Sequence, residues 1–406
     1  MERNPMNFLF NMEKEIAKRR FKFAIKCLHE IIKIDPRENI VFSPYNFYEA
    51  LFFIYIIATS NIKRYLERAL DLSDFQNNTL IRYRFVKTIS SDTVISYGND
   101  DESILCCFRE DLQSCFALLH PMFRKVPNLH YLKTHHEKII YFNAALKLSN
   151  MRYCRHFVEL EEKRDMDFLL INVLRLDVQK LQISTASQSD APKIPIPNRN
   201  PKCKNFLCHE LSMLVNEYPY QNGVSLFTLF PISLIYDDSS FRIQINETGL
   251  CDLIKRLSTD DGICKLRNLL DNDYMTSENT INFMVSPVFK VEKNLNIYDL
   301  LQVLDIEQLL LPDAIDFKYS YKDYKFEYSM RLGNIEHRTN VTVTEENIRA
   351  GSFNIICTGQ SFPKKEVIEE MNYNYPFVWL IYEKEYRGIL FIGANFAERA
   401  PFYTIV

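Results

Sequence analysis

The sequence predicts an α+β fold. Three patterns carry that prediction. Early in the chain, apolar residues return at helical spacing, at Phe8, Met12 and Ile16 and again at Phe23, Cys27 and Ile31. Later, apolar residues alternate with polar ones, at Ile281, Phe283, Val285, Phe289 and Val291, as in a half-buried strand. At the C-terminal end two apolar runs, 376–382 and 389–396, flank a charged turn that ends in Gly388. They read as a β-hairpin buried on both faces and so central to the molecule.

The elements follow in order. A helix is expected over 8–33, ended by Pro36. Ser43-Pro44 opens a very apolar helix over 46–58, since Pro is harmless where its missing N–H has no partner to lose. Ser60 or Asn61 caps a third helix over 62–72. Residues 74–102 read as irregular, with a β-branched stretch at 88–97, and 106–119 read as helical. A strand is expected at 139–148, a helix at 153–163 and a doubly buried strand at 168–176. The Ser, Pro, Lys and Asn of 184–205 mark a loop or linker. Beyond it come strand 224–229, helical 253–270, strand 281–291, helix 295–303 and alternating 339–345.

Composition narrows the function. The chain has 406 residues, 47% apolar and 25% charged, a globular balance. Lys and Arg number 49 against 52 Asp and Glu, well mixed, so no basic face offers itself to nucleic acid. Only nine glycines occur, with no GxGxxG or GxxxxGK[ST] to cradle a phosphate. His136-Glu137 and His209-Glu210 lack the second His of HExxH, and no GxSxG is present. An enzyme is therefore not expected. The ten cysteines form no CxxC, and Cys203, Cys208 and His209 match no zinc spacing, so no metal or cofactor is expected. The N-terminus has no signal-like apolar core, and the longest apolar block, 50–58, is too short to span a bilayer. As written the chain reads as cytoplasmic and free of membrane, or extracellular if its N-terminus is incomplete. In that second case the sequons at Asn77, Asn246 and Asn340 would matter.

Several segments, in order, resemble the serpins. Asn39-Ile-Val-Phe-Ser-Pro44 with the apolar helix after it, and 61–72 behind that, look like the family's early helices. Phe142-Asn-Ala-Ala-Leu146 and Leu169-Leu-Ile-Asn172 are similar to strands of its large sheet. Val288-Phe-Lys-Val291 with Tyr298-Asp-Leu-Leu301, and then Ile335-Glu-His-Arg338 with 341–346, look like the run into its reactive loop. Tyr375-Pro-Phe377 and Phe391-Ile-Gly393 match its C-terminal hairpin.

The resemblance implies one domain over 1–406, three sheets, about eight to nine helices and an exposed reactive-centre loop near 347–370. It implies a monomeric suicide-substrate inhibitor of a serine protease. In such an inhibitor the cut loop inserts into the large sheet and drags the acylated protease with it. A non-inhibitory binding, carrier or decoy protein is the alternative. The hinge would be Glu345, Glu346, Asn347, Ile348, Arg349 and Ala350. Asn347 stands where the family has Gly, and Ile348 is bulky and β-branched, which should slow insertion. By parity Ile348, Ala350, Ser352 and Asn354 would face inward and Arg349 outward.

The cleaved bond is expected near Ser361 or Phe362. Lys364 or Lys365 would instead suit a trypsin-like protease, unless 363–366 is only a solvated loop tip. Ser43, Asn46, Asn172 and His337 would form the family's shutter, with Asn172 and His337 paired beneath the sheet. Three departures stand out. No Trp occurs in 175–181, 149–168 is too short for the helix that usually covers the sheet, and Asn46 replaces a Ser.

Overall fold

The computed structural model describes residues 5–58, 60–90, 95–97, 100–108, 168–181, 204–237, 240–271, 288–295, 297–310, 315–321, 324–330, 334–357, 368–371, 375–396 and 404–405. The expected strand at 139–148 and helix at 153–163 lie outside them, as do the linker up to 203 and the scissile candidates Ser361, Phe362, Lys364 and Lys365.

The described N-terminal part is helical apart from one short strand. Helix α1 (Pro5–Ile34) precedes strand β1 (Ile40–Phe42), and α2 (Pro44–Ile57), α3 (Ser60–Ala69) and α4 (Asn77–Ser90) follow. Ser43 caps α2 by accepting the Asn46 N–H, and Pro44 occupies its first turn. All fourteen residues of α2 are buried, Asn46 and Glu49 among them. A helix apolar all round belongs in the core, so its two polar residues need partners there. Arg20 of α1 supplies one, donating to Glu49 at 2.7 Å and also to Glu13.

Strands β2 (Ile95–Tyr97), β3 (Asp100–Phe108) and β4 (Phe168–Gln179) come next. Then follow β5 (Lys204–Cys208), β6 (Met213–Pro219), β7 (Val224–Asp237) and β8 (Ser240–Ile245). Helices α5 (Leu250–Leu257) and α6 (Asp260–Asp271) precede β9 (Phe289–Leu295) and α7 (Ile297–Val303). The remaining strands are β10 (Ile315–Tyr321), β11 (Tyr324–Met330), β12 (Asn334–Val343), β13 (Asn347–Cys357), β14 (Ile368–Met371), β15 (Phe377–Glu383), β16 (Gly388–Asn395) and β17 (Thr404–Ile405).

One sheet runs β1-β16-β15-β7-β6-β5, with β8 on β7 and β17 on β8. A second runs β14-β9-β12-β13-β4-β3-β2, and β10 and β11 pair by themselves. One buried cluster lies where α1 and α2 meet the first sheet; another lies between the sheets, where Trp379, Phe289, Val341 and Leu174 meet. Trp379 and Phe289 meet across that gap as tilted rings with centroids 5.0 Å apart.

Two expectations need correction. Residues 77–90 form a helix although they lack a clean apolar stripe, because Leu80 and Tyr83 are drawn fully into the core. Cys106–Phe108 end strand β3 and do not open a helix. A short apolar run is ambiguous by period alone, and here nine residues paired with β4 decide it.

Candidate functional site

The segment of most interest is β13. Its residues Asn347–Cys357 lie within the range expected as an exposed loop, yet they form a strand between β12 and β4. The exposed-loop expectation is thus corrected for these eleven residues. The physical reason is the two ladders the strand completes. Asn347–Cys357 pair with β4 from Gln179 down to Leu169, and Ile348–Cys357 pair with β12 from Val343 down to Asn334. Both ladders are antiparallel. Without β13, β12 and β4 would run parallel to each other, the weaker pairing.

The side chains obey the expected parity. Ile348 and Ala350 are buried in the cluster between the sheets, and Arg349 points out, 3.7 Å from Asp177. Fully burying an Ile side chain contributes roughly 1.5–3 kcal/mol. Ser352 and Asn354 enter a polar layer beneath the sheet, where both are fully buried.

That layer is built on the start of α2. The Ser43 N–H donates to His337 Nε2 at 3.1 Å, which fixes the opposite nitrogen as the protonated one. Nδ1–H then donates to Asn354 Oδ1 at 2.6 Å. The Asn46 carbonyl accepts from Asn354 Nδ2 at 2.9 Å and from Asn172 Nδ2 at 3.1 Å. Asn46 Nδ2 donates to Ser352 Oγ at 3.2 Å and to the Asn172 carbonyl at 3.3 Å. Thr339 Oγ1 lies 3.1 Å from His337 Nε2 and 3.3 Å from Ser352 Oγ. Ser43 Oγ closes the set by donating to the Leu390 carbonyl at 2.8 Å. Burial pulls His337 down to about 4, against the opposing pull of its Asn354 bond, so the ring is neutral.

Ser43, Asn46, Asn172 and His337, the residues expected to form a shutter, therefore lie together, with one correction to the expected pairing. Asn172 and His337 do not bond each other, because Asn354 stands directly opposite both, one strand to either side. Asn354 has taken the His337 bond that Asn172 was expected to make. Thr339 and the bonding roles of Ser352 and Asn354 escaped sequence reasoning, though a signal was there. An antiparallel hairpin turning at Glu345-Glu346 sets His337 against Asn354 and Thr339 against Ser352.

On the opposite face of the sheet, buried Arg338 donates to Glu292 Oε1 at 2.7 Å, and Asn340 Nδ2 donates to Glu292 Oε2 at 3.0 Å. This ion pair joins β12 to β9, so the neighbour on that side of β12 is fixed. The Asn340 side chain of the third sequon is buried, whereas Asn77 is exposed. Of the cysteine–histidine group, Cys208 is half-buried, with burial pushing its thiol up, and no metal-ligating cluster occurs among the described residues. Nor is any described helix long and apolar enough to cross a membrane.

Comparison with known proteins matches this architecture. The family model described as Serpin (serine protease inhibitor) matches residues 187–397. Serine protease inhibitor 88Ea of Drosophila melanogaster is 21% identical, over 95% of this chain and 91% of its own length. Among solved structures, a thermophilic serpin, tengpin, in the latent state is 16% identical with a TM-score of 0.60, covering 95% of this chain and 98% of its own. Cleaved Serpin 42Da is 15% identical with a TM-score of 0.58, covering 95% of this chain and 99% of its own.

Proposed function

This chain belongs to the serpin family, and on that premise we propose that it inhibits a serine protease by the suicide-substrate route. A protease acylated on the loop would be carried along as 347–357 enters the sheet, and its active site would be distorted before water completes hydrolysis. No catalytic residue or cofactor of its own is needed. The observation that carries the reading is the fit of β13. It is paired with both neighbours along its length, and each inward side chain meets a matching partner: Ile348 and Ala350 apolar, Ser352 and Asn354 polar. An unmatched polar group there would cost roughly 1–3 kcal/mol. The inward residues do not obstruct insertion, and two of them complete hydrogen bonds in the sheet. Within this proposal, Lys364 or Lys365 is the residue cut, and the target is trypsin-like.

A second reading, a non-inhibitory binding, carrier or decoy protein, draws on one feature. Ile348 is a bulky β-branched residue that must be fully buried at the first inward position. Slow passage there would let the protease finish and leave.

The two readings part on a denaturing gel. Freshly refolded chain is mixed with a trypsin-like protease at several ratios. Inhibition gives a band at the summed mass that survives boiling. Nicking at every ratio without that band overturns the inhibitory reading for proteases of this specificity.

A further inference from the structure

The turn that starts the inserted strand is bonded in an unusual way. Thr344, Glu345, Glu346 and Asn347 connect β12 to β13 through a two-residue loop, closed by a Thr344 N–H to Asn347 carbonyl bond of 2.9 Å. Loops of that length favour positive φ at the central residues, which matches the twist of the strands. Neither Glu345 nor Glu346 is among the described residues with positive φ. The backbone alone is therefore a poor closure, and side chains supplement it. Thr344 Oγ1 accepts from the N–H of Glu346 at 3.2 Å and of Asn347 at 3.0 Å. It lies 2.9 Å from Asn347 Oδ1 and 3.2 Å from the Asn347 carbonyl, and donates its proton to that pair. The Lys180 N–H anchors the far side by donating to the Glu346 carbonyl at 2.7 Å.

We propose that Thr344 and Asn347 form a latch specific to the inserted strand, so that Asn in the hinge slows departure of the strand from the sheet. This rests on the insertion reading given above. The argument is geometric. In an extended chain, residues three apart are separated by roughly 10 Å, and the Thr344 hydroxyl then reaches neither Asn347 Oδ1 nor its carbonyl. The bonds exist only when the chain folds back at Glu345-Glu346, which is when β13 is in the sheet. An interaction made in one state alone shifts the equilibrium toward that state. Glycine at position 347 would ease the bend but supply no side-chain acceptor. Asn347 and Thr344 are thus positioning residues that hold the strand without touching the protease.

Amide hydrogen exchange on the full chain tests this, with Thr344→Val, Thr344→Ser and Asn347→Ala variants beside the parent. Val keeps the shape of Thr and loses the hydroxyl, whereas Ser keeps the hydroxyl. The latch predicts exchange about tenfold or more faster at residues 346–348 in Thr344→Val and Asn347→Ala. Residues 350–356 stay protected, and Thr344→Ser exchanges like the parent. Parental rates at 346–348 in the Val and Ala variants overturn the latch, as does a Ser variant as fast as Val. Each variant, like the parent, is first warmed until it no longer forms the boiling-resistant protease band. If residues 348–356 of the parent still exchange like an open loop after that, the insertion reading itself has failed, a result distinct from loss of the latch.

Discussion

His337 and Glu383 give the molecule opposing responses to pH. Burial holds His337 down at about 4, so the folded state resists its protonation. Its contribution is full above the usual histidine value of about 6.5 and is lost as pH falls toward 4. Burial pushes Glu383 up to about 7, although it accepts N–H bonds from Tyr386 and Glu385. The folded state there favours the protonated acid, so stability declines as pH rises from about 4.5 through 7. Over one window the two slopes offset each other. His337→Gln should make the urea midpoint less acid-sensitive than the parent's, and Glu383→Gln more so. The His337 part amounts to about 3 kcal/mol at its extreme. Variants that both follow the parental pH profile would refute the assignment. At this scale the sequence was readable where parity decides and opaque where pairing decides. The inward set from Ile348 to Asn354 follows from alternation. The replacement of Asn172 by Asn354 at His337 requires knowing that β13 lies between them.

Among the elements, the β15–β16 hairpin shows how a strand pair can be fixed by a missing side chain. Gly393 lies opposite Trp379, and a Cβ there would come within 2.3 Å of the Ile40 carbonyl and 2.4 Å of the indole. Backbone and a packed ring on three adjacent strands cannot all give way. Gly393→Ala should therefore cost about 2–3 kcal/mol, read as a lower midpoint in chemical denaturation. Gly388→Ala, where a Cβ meets nothing within 4 Å, should leave the midpoint unchanged. This hairpin was the most legible element, because two long apolar runs around a charged turn admit few other folds. Helix α4 was the least legible, because its burial comes from distant partners: Tyr83 Oη donates to Glu13 of α1. No local periodicity records such a contact.

In the molecule as a whole, the large sheet has one seam that differs from the rest. The Arg338–Glu292 pair ties β12 to β9, and nine paired residues tie β4 to β3. Between those halves, among the described residues, β13 pairs with both along its length, and the start of α2 reaches His337 on one side and Asn172 on the other. β13 lies in that seam, and on the insertion reading its entry is expected to need no broken peptide bond. Warming freshly refolded chain should abolish the boiling-resistant protease band while intact mass stays constant. Loss of the band only in step with a fall in mass would contradict this. The order of segments made the fold readable from sequence, whereas the state of the seam was not. The same hinge residues suit a strand in the sheet or a loop outside it, and only pairing energies choose between them.

Trp379 is the one indole in the chain, and it sits against Phe289 where the two sheets face each other. Its emission is therefore a built-in optical probe of that junction. Excited at the red edge of protein absorbance, the protein reports on a single location, with no label and no second tryptophan to subtract. A blue, narrow spectrum corresponds to the packed interface. A shift toward longer wavelength would time the parting of the sheets in a stopped-flow trace.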